Sequence, residues 1–277
     1  MVEALDMMFP FVMFSFGLVF GSFANVLIWR IPRGESISSP GSHCPACDHA
    51  VRWYDNIPVV SWLLLRGRCR DCSTPISVRY PLIELATALL WLACALRFDF
   101  GPRALVAAFM CYLLLVLSAI DLDVLRLPNV LVAVLGIAGV IAVTLAQTTD
   151  IVAAPLTPVG GVFAAPALAA LAGSVLGGGV SLLIALAYRG VRGRSGFGMG
   201  DVKLLVALGP YLGIYNVGVL FVGSIIGAVW GVVAAARSRQ GMAAKIPFGP
   251  SLAVAAVILG FFGPAMWAWY AGIVGLA

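Results

Sequence analysis

Long apolar runs, separated by short polar stretches, restrict this chain more than any other feature. Eight runs are read, at 8–31, 82–96, 104–120, 130–146, 165–188, 201–212, 217–236 and 250–274. A helix needs about 20 apolar residues to cross a bilayer. Lipid offers no partner to a backbone N–H or carbonyl, so such runs must satisfy their own polar groups as helices. The expectation is an all-α, polytopic membrane protein of about eight transmembrane helices. The 201–212 run is short, which leaves a tilted helix, a supported one, or a re-entrant segment with seven true spans. Only 10% of residues are charged and 62% are hydrophobic. Soluble domains carry about 25% charged residues, so one soluble core is excluded. Residues 1–8 contain Glu3 and Asp6 and no basic residue. The first run is therefore read as a retained helix and not as a removed leader.

The net charge of +5 would by itself suggest a nucleic-acid partner. Its placement argues for topology instead. If spans alternate, one side of the membrane receives Arg33, Arg52, Arg66, Arg68, Arg70, Arg79, Arg126, Arg189, Arg192, Arg194, Lys203, Arg237, Arg239 and Lys245. The other side receives Arg97 and Arg103. The positive-inside rule makes the first side cytoplasmic and puts both termini outside. The partner implied is a lipid bilayer, with no nucleic acid required. The chain divides into a first helix (1–31), a polar cytoplasmic loop (32–80) and a helical membrane domain (81–277).

The loop carries Cys44-Pro-Ala-Cys47 and Cys69-Arg-Asp-Cys72. Two C-x-x-C pairs resemble a zinc ribbon, and four thiolates suit tetrahedral Zn²⁺. Disulfides are disfavoured in a reducing cytosol. Four protein ligands close the coordination shell, so the metal would be structural. His43 and His49 flank the first pair as alternative ligands. Cys94 and Cys111 stand alone in apolar runs and read as small buried hydrophobes.

Ionisable residues at the edge of a span are costly and mark function. Asp121 ends the third run. Asp201 opens the sixth after Gly196-Phe-Gly198-Met-Gly200. By topology both lie at the cytoplasmic membrane surface. Two carboxylates meeting at one site do not both ionise easily, so one keeps a proton. The charged one can take a proton from attacking water, while the protonated one polarises a peptide carbonyl or donates to the leaving amine. The same Asp201 would also suit a helix N-terminus, where carboxylates are favoured. Asp123 competes with Asp121 by position, and the residues alone do not choose among these readings.

Together the motifs resemble the type IV prepilin peptidases, a branch of the GxGD aspartyl proteases. Gly198-Met-Gly200-Asp201 fits the GxGD pattern, and Asp201-Val-Lys203-Leu continues it. Gly21-Ser-Phe-Ala-Asn25 through Arg30, Arg33-Gly-Glu35-Ser36, and Pro40 through Cys47 are similar to the family's first helix and loop. So are Trp53-Tyr-Asp55-Asn56-Ile-Pro58, Gly67-Arg-Cys69, Ile76 through Pro81, Glu84, and Ile246-Pro-Phe248-Gly249-Pro250. In that family the first catalytic aspartate stands seven residues before a proline usually followed by Asp. The register selects Asp121, with Pro128 in place and Asn129 departing from the usual residue.

The resemblance implies an endopeptidase that cuts the leader of prepilins and pseudopilins after a glycine, with Asp121 and Asp201 catalytic and zinc on Cys44, Cys47, Cys69 and Cys72. The long form with the cysteine loop implies a second activity, N-methylation of the new terminus by S-adenosylmethionine. Glu35, Asp55, Asn56, Gly67 and Arg79 are candidates for holding that cofactor. Gly198, Gly200, Lys203, Phe248, Gly249 and Pro250, with Arg126, are candidates for shaping the active-site mouth. The location implied is the bacterial inner membrane. Three other readings stand beside this one: a peptidase without methyl transfer, a proton-coupled transporter using both aspartates, and a zinc-loop scaffold of a secretion machine with no chemistry. Transporters more often place carboxylates near the midplane, frequently with internal repeats.

Overall fold

The structure is a computed structural model that describes residues 2–148, 156–157, 164–193, 197–237 and 247–275. Arg194, Gly196, Arg239, Lys245 and Ile246, used in the sequence reading, lie outside the described residues. Among the described residues the regular structure is helical. Strand pairing is limited to two isolated antiparallel bridges, His43 with Ala50 and Arg68 with Pro75. The expected all-α class holds.

The chain divides into two compact units, Met1–Phe100 and Gly101–Ala277. The first unit pairs α1 (Val2–Arg30) with α3 (Arg79–Phe98), and a short helix α2 (Val60–Leu64) lies in the loop between them. A Gly17-x-x-x-Gly21 stripe explains the close α1–α3 approach. A Cβ at Gly17 would lie 2.6 Å from Ala88 Cα, and one at Gly21 would lie 2.6 Å from Glu84 Cα. The two backbones are in direct contact there, and any side chain would force them apart. One turn further along, Asn25 Nδ2 donates to the Tyr80 carbonyl at 3.2 Å.

The second unit contains α4 (Pro102–Val124), α5 (Asn129–Thr148), α6 (Pro166–Arg192), α7 (Met199–Leu212), α8 (Asn216–Arg237) and α9 (Gly249–Val274). Helix α7 is its buried centre, packed by α5, α6, α8 and α9. Leu204, Leu205, Leu208, Tyr211 and Leu212 are all fully enclosed. Two polar side chains beside α7 bond to main chain within the unit. Tyr211 donates its hydroxyl to the Leu135 carbonyl at 2.9 Å, and Asn216 Nδ2 donates to the Leu205 and Gly173 carbonyls at 2.6 and 2.9 Å.

Among the described residues, seven helical stretches are long and apolar enough to cross a membrane, one fewer than the eight runs read from sequence. The difference is α7. Its 14 residues extend only about 21 Å at 1.5 Å per residue, short of a hydrocarbon core of about 30 Å. It joins α8 in a single apolar stretch, 199–236, broken by a tight turn at Gly213–Tyr215. Cys94 and Cys111 are buried in α3 and α4.

Candidate functional site

Asp121 lies three residues before the C-terminus of α4 and is buried, while Asp123 is exposed. Successive helical residues turn by about 100°, so residues two apart face nearly opposite sides. Leu125, at φ 53°, takes the left-handed conformation that ends the helix, and its N–H donates to the Asp121 carbonyl at 2.9 Å. The Asp121 carboxylate is held from another helix. Gly249, the first residue of α9, donates its backbone N–H to Asp121 Oδ2 at 3.0 Å.

Asp201 lies in the first turn of α7 and is also buried. Gly198 occupies the N-cap position, and the Asp201 carboxylate folds back against it. Asp201 therefore does not cap the helix as the capping reading had it, but lies in the first turn, three residues inside the cap. Each carboxylate thus lies against a glycine at a helix N-terminus, where the aligned peptide dipoles favour negative charge. The arrangement leaves no room for a side chain at either glycine. A Cβ at Gly249 would lie 2.7 Å from Asp121 Oδ2, and one at Gly198 would lie 2.7 Å from Asp201 Oδ2.

Leu127 packs between the two helix starts, against Gly200 on one side and Gly249 on the other. Phe197 and Phe248 meet edge to face with ring centroids 5.5 Å apart. Pro250 is buried in the first turn of α9, and Arg126 is exposed. Lys203 reaches across to α5 and donates from Nζ to Asn129 Oδ1 at 2.9 Å. Gly198, Gly249 and Phe248 therefore gather around the carboxylates, and Gly200 approaches through Leu127. Sequence reasoning missed Leu127 and Phe197, whose only signal is position beside the motifs. It recorded Asn129 as a departure without finding its partner, Lys203.

In the first unit the four cysteines converge, with their Sγ atoms all within 4.8 Å of one another. Both knuckles are built alike. Cys44 N–H donates to the His49 carbonyl and Asp48 N–H to the Cys44 carbonyl, at 2.9 and 2.8 Å. Cys69 N–H likewise donates to Thr74, and Ser73 N–H to Cys69, both at 2.9 Å. Asp48 and Ser73 supply the positive-φ turn in each, at 58° and 59°. Tetrahedral Zn–S bonds of about 2.3 Å separate sulfurs by about 3.8 Å, and Cys44 and Cys72 Sγ stand 3.7 Å apart. Cys72 is drawn down to about 6 by the Thr74 hydroxyl and backbone. Cys47 rises to about 12, against a lowering backbone bond at His49, through burial and the neighbouring thiols. Four sulfurs this close can all ionise only around a cation, and the donor set fits one metal ion.

Arg70 anchors this cluster. Its guanidinium makes a two-pronged ion pair with Asp55, Nε to Oδ2 at 2.8 Å and Nη2 to Oδ1 at 2.6 Å, and holds the Asp55 carboxyl below its usual range. Arg52 pairs with Asp71 at 3.0 Å. Gly67, at φ +67°, lies under the Trp62 ring, whose Nε1 donates to the Ile76 carbonyl at 3.1 Å. Asp55 and Gly67 thus flank the second knuckle. Asn56 lies in the exposed turn after Asp55, Arg79 starts α3, and Glu35 follows the turn after α1 with its N–H on the Arg30 carbonyl.

Fold and site define a polytopic helical membrane protein with two buried carboxylates on separate helices and a four-cysteine cluster able to hold a metal. Residues 15–98 match the bacterial peptidase A24 N-terminal domain, and residues 108–232 match the type IV leader peptidase family. The prepilin leader peptidase/N-methyltransferase of Aeromonas hydrophila is 34% identical over 98% of this chain and 96% of its own. That of Burkholderia pseudomallei (strain K96243) is 36% identical over 89% and 83%. The type 4 prepilin-like proteins leader peptide-processing enzyme of Escherichia coli O78:H11 is 35% identical over 87% and 89%. No solved structure matches. The chain belongs to the type IV leader peptidase family.

Proposed function

We propose that this protein cleaves the leader from type IV prepilins and pseudopilins after a glycine, and then methylates the new N-terminus. The observation that carries the proteolytic half is the pair of buried carboxylates, Asp121 and Asp201, each lying against a glycine at a helix start. In the proposed mechanism the ionised member takes a proton from water as its oxygen attacks the scissile carbonyl. The protonated member gives a hydrogen bond and then its proton toward the product side, so the amine leaves neutral and the pair returns to one shared proton. The roles belong to the pair, because coupled carboxylates titrate together. Burial excludes bulk water and strengthens each of these interactions.

A prepilin has a basic leader ahead of an apolar helix, so its scissile bond lies at the cytoplasmic membrane surface. We place both aspartates and the cysteine loop on that face of the inner membrane, with both termini periplasmic, on the distribution of arginines. Gly200, Lys203, Phe248 and Pro250 shape the entrance in this reading. Residues 32–80 form the methyl-transfer region and 81–277 the peptidase domain. Cys44, Cys47, Cys69 and Cys72 would hold Zn²⁺ as a structural ion. S-adenosylmethionine would supply the methyl group, with Glu35, Asp55, Asn56, Gly67 and Arg79 as the residues to test for holding it. The relatives named for both activities support this assignment.

The test is incubation of the purified protein with a prepilin, read by mass spectrometry. Loss of the leader by the wild type, and no loss with folded Asp121→Asn or Asp201→Asn, is the expected result. Undiminished cleavage by either variant would remove the two-aspartate mechanism. Adding S-adenosylmethionine should increase the cleaved product by one methyl group. No increase would leave a peptidase alone.

A further inference from the structure

The loop between α1 and α3 presents large apolar side chains that the cysteine cluster does not use. Trp53 is 82% exposed, Leu64 78% and Leu63 60%, with Val60 and Ile57 beside them. These residues belong to one small folded element. Ser61 Oγ donates to the Tyr54 carbonyl at 2.9 Å and accepts the Ile57 N–H at 3.1 Å, which closes 54–61 into a turn carrying α2.

The packing register sets the height of this element along the helix pair. Gly17 faces Ala88, Gly21 faces Glu84, and Asn25 bonds at Tyr80. Gly21 is nine residues before Arg30, so Glu84 lies about 13 Å below the charged end of α1 at 1.5 Å per residue. A helical side chain leans toward its own N-terminus, which brings the Glu84 carboxylate up by less than one turn. Val59 N–H donates to Glu84 Oε2 at 2.7 Å. The backbone of Val59 therefore lies below the Arg30–Arg33 level, against α3 at Glu84. Holding it there requires a positive φ of 61° at a β-branched residue, a strained conformation.

We infer that residues 53–64 form an interfacial element that dips into the headgroup–acyl boundary beside α1 and α3, with Trp53, Leu63 and Leu64 inserted into lipid. Irregular backbone at that depth must be satisfied by protein. Glu84 and Ser61 do this for Val59 and Ile57, the very N–H groups that lipid could not serve. The surrounding charge suits an anionic leaflet. Exposed Arg66 and Arg68 directly follow α2, the pattern of apolar insertion with a basic rim that favours anionic lipids. An aromatic such as Trp53 is at home at the same level.

The experiment uses the full-length protein in vesicles of phosphatidylethanolamine and phosphatidylglycerol. Benzoylphenylalanine placed at Leu64 and, separately, at the exposed Ile37 is photoactivated, and adducts are read by mass spectrometry. Lipid adducts at position 64 and not at 37 are expected. Adducts only to protein, no adduct, or equal lipid adducts at both positions would overturn the inference. A second readout needs no label. The emission lost on Trp53→Phe should be quenchable by brominated lipid acyl chains. Quenching of that component by aqueous iodide instead would equally overturn it.

Discussion

Gly249 holds Asp121 across 128 residues of chain, donating its backbone N–H to Oδ2 at 3.0 Å. Gly198 lies as close to Asp201, and both contacts depend on a missing Cβ. A methyl group at either glycine would occupy the space of a carboxylate oxygen.

Gly249→Ala and Gly198→Ala should each displace a carboxylate while leaving the helix starts intact. Misplacement by about 1 Å can cost about 10²-fold in rate, and a loss of cleavage of that order is expected with folding preserved. Gly179→Ala, where a Cβ meets nothing within 4 Å, should leave cleavage unchanged. Steady-state cleavage of a prepilin by the three variants checks the contrast.

Asp121→Asn should abolish cleavage, and Asp123→Asn should reduce it by no more than a few fold. One side chain is buried against Gly249, and the other, two residues on, faces outward. Equal loss in both variants would show that burial does not separate their roles.

Removal of metal should unfold the cysteine loop selectively. The knuckles have only short backbone pairings of their own, and small loops of this kind draw their folding energy from the ion. Chelator treatment, or Cys69→Ser, should release zinc by elemental analysis and open the loop to limited proteolysis, while the spanning helices remain protected.

Asp55 is held below its usual range by Arg70. A carboxylate with a depressed folded pKa adds stability above its unfolded pKa, near 3.9, and loses it as pH falls through the folded value. The Asp55–Arg70 contribution should therefore be constant from pH 5 to 8. Asp55→Asn should speed loop proteolysis, and the ratio to wild type should not change across that range. A ratio that drifts there would show that another group controls the loop.

Part of this molecule is readable without coordinates because the physics is local. Apolar runs must become helices in lipid, and paired C-x-x-C spacing brings sulfurs within reach of one ion. The short run at 201–212 was visible as an anomaly, but its burial was not, since that depends on α5, α6, α8 and α9 closing around it. Likewise Lys203 read as a candidate for shaping the active-site mouth or as a basic anchor, while its bond to Asn129 spans two helices.

The amino-acid sequence by itself determined the helical membrane class, the two cysteine knuckles and the pair of aspartates, since each follows from composition, spacing or motif. Only the tertiary structure decided what holds the aspartates. Asp121 meets Gly249 because α4 packs on α9, a contact between residues that no local pattern connects. The same packing buries Asp121 and leaves Asp123 outside, because a helix turns about 200° between them.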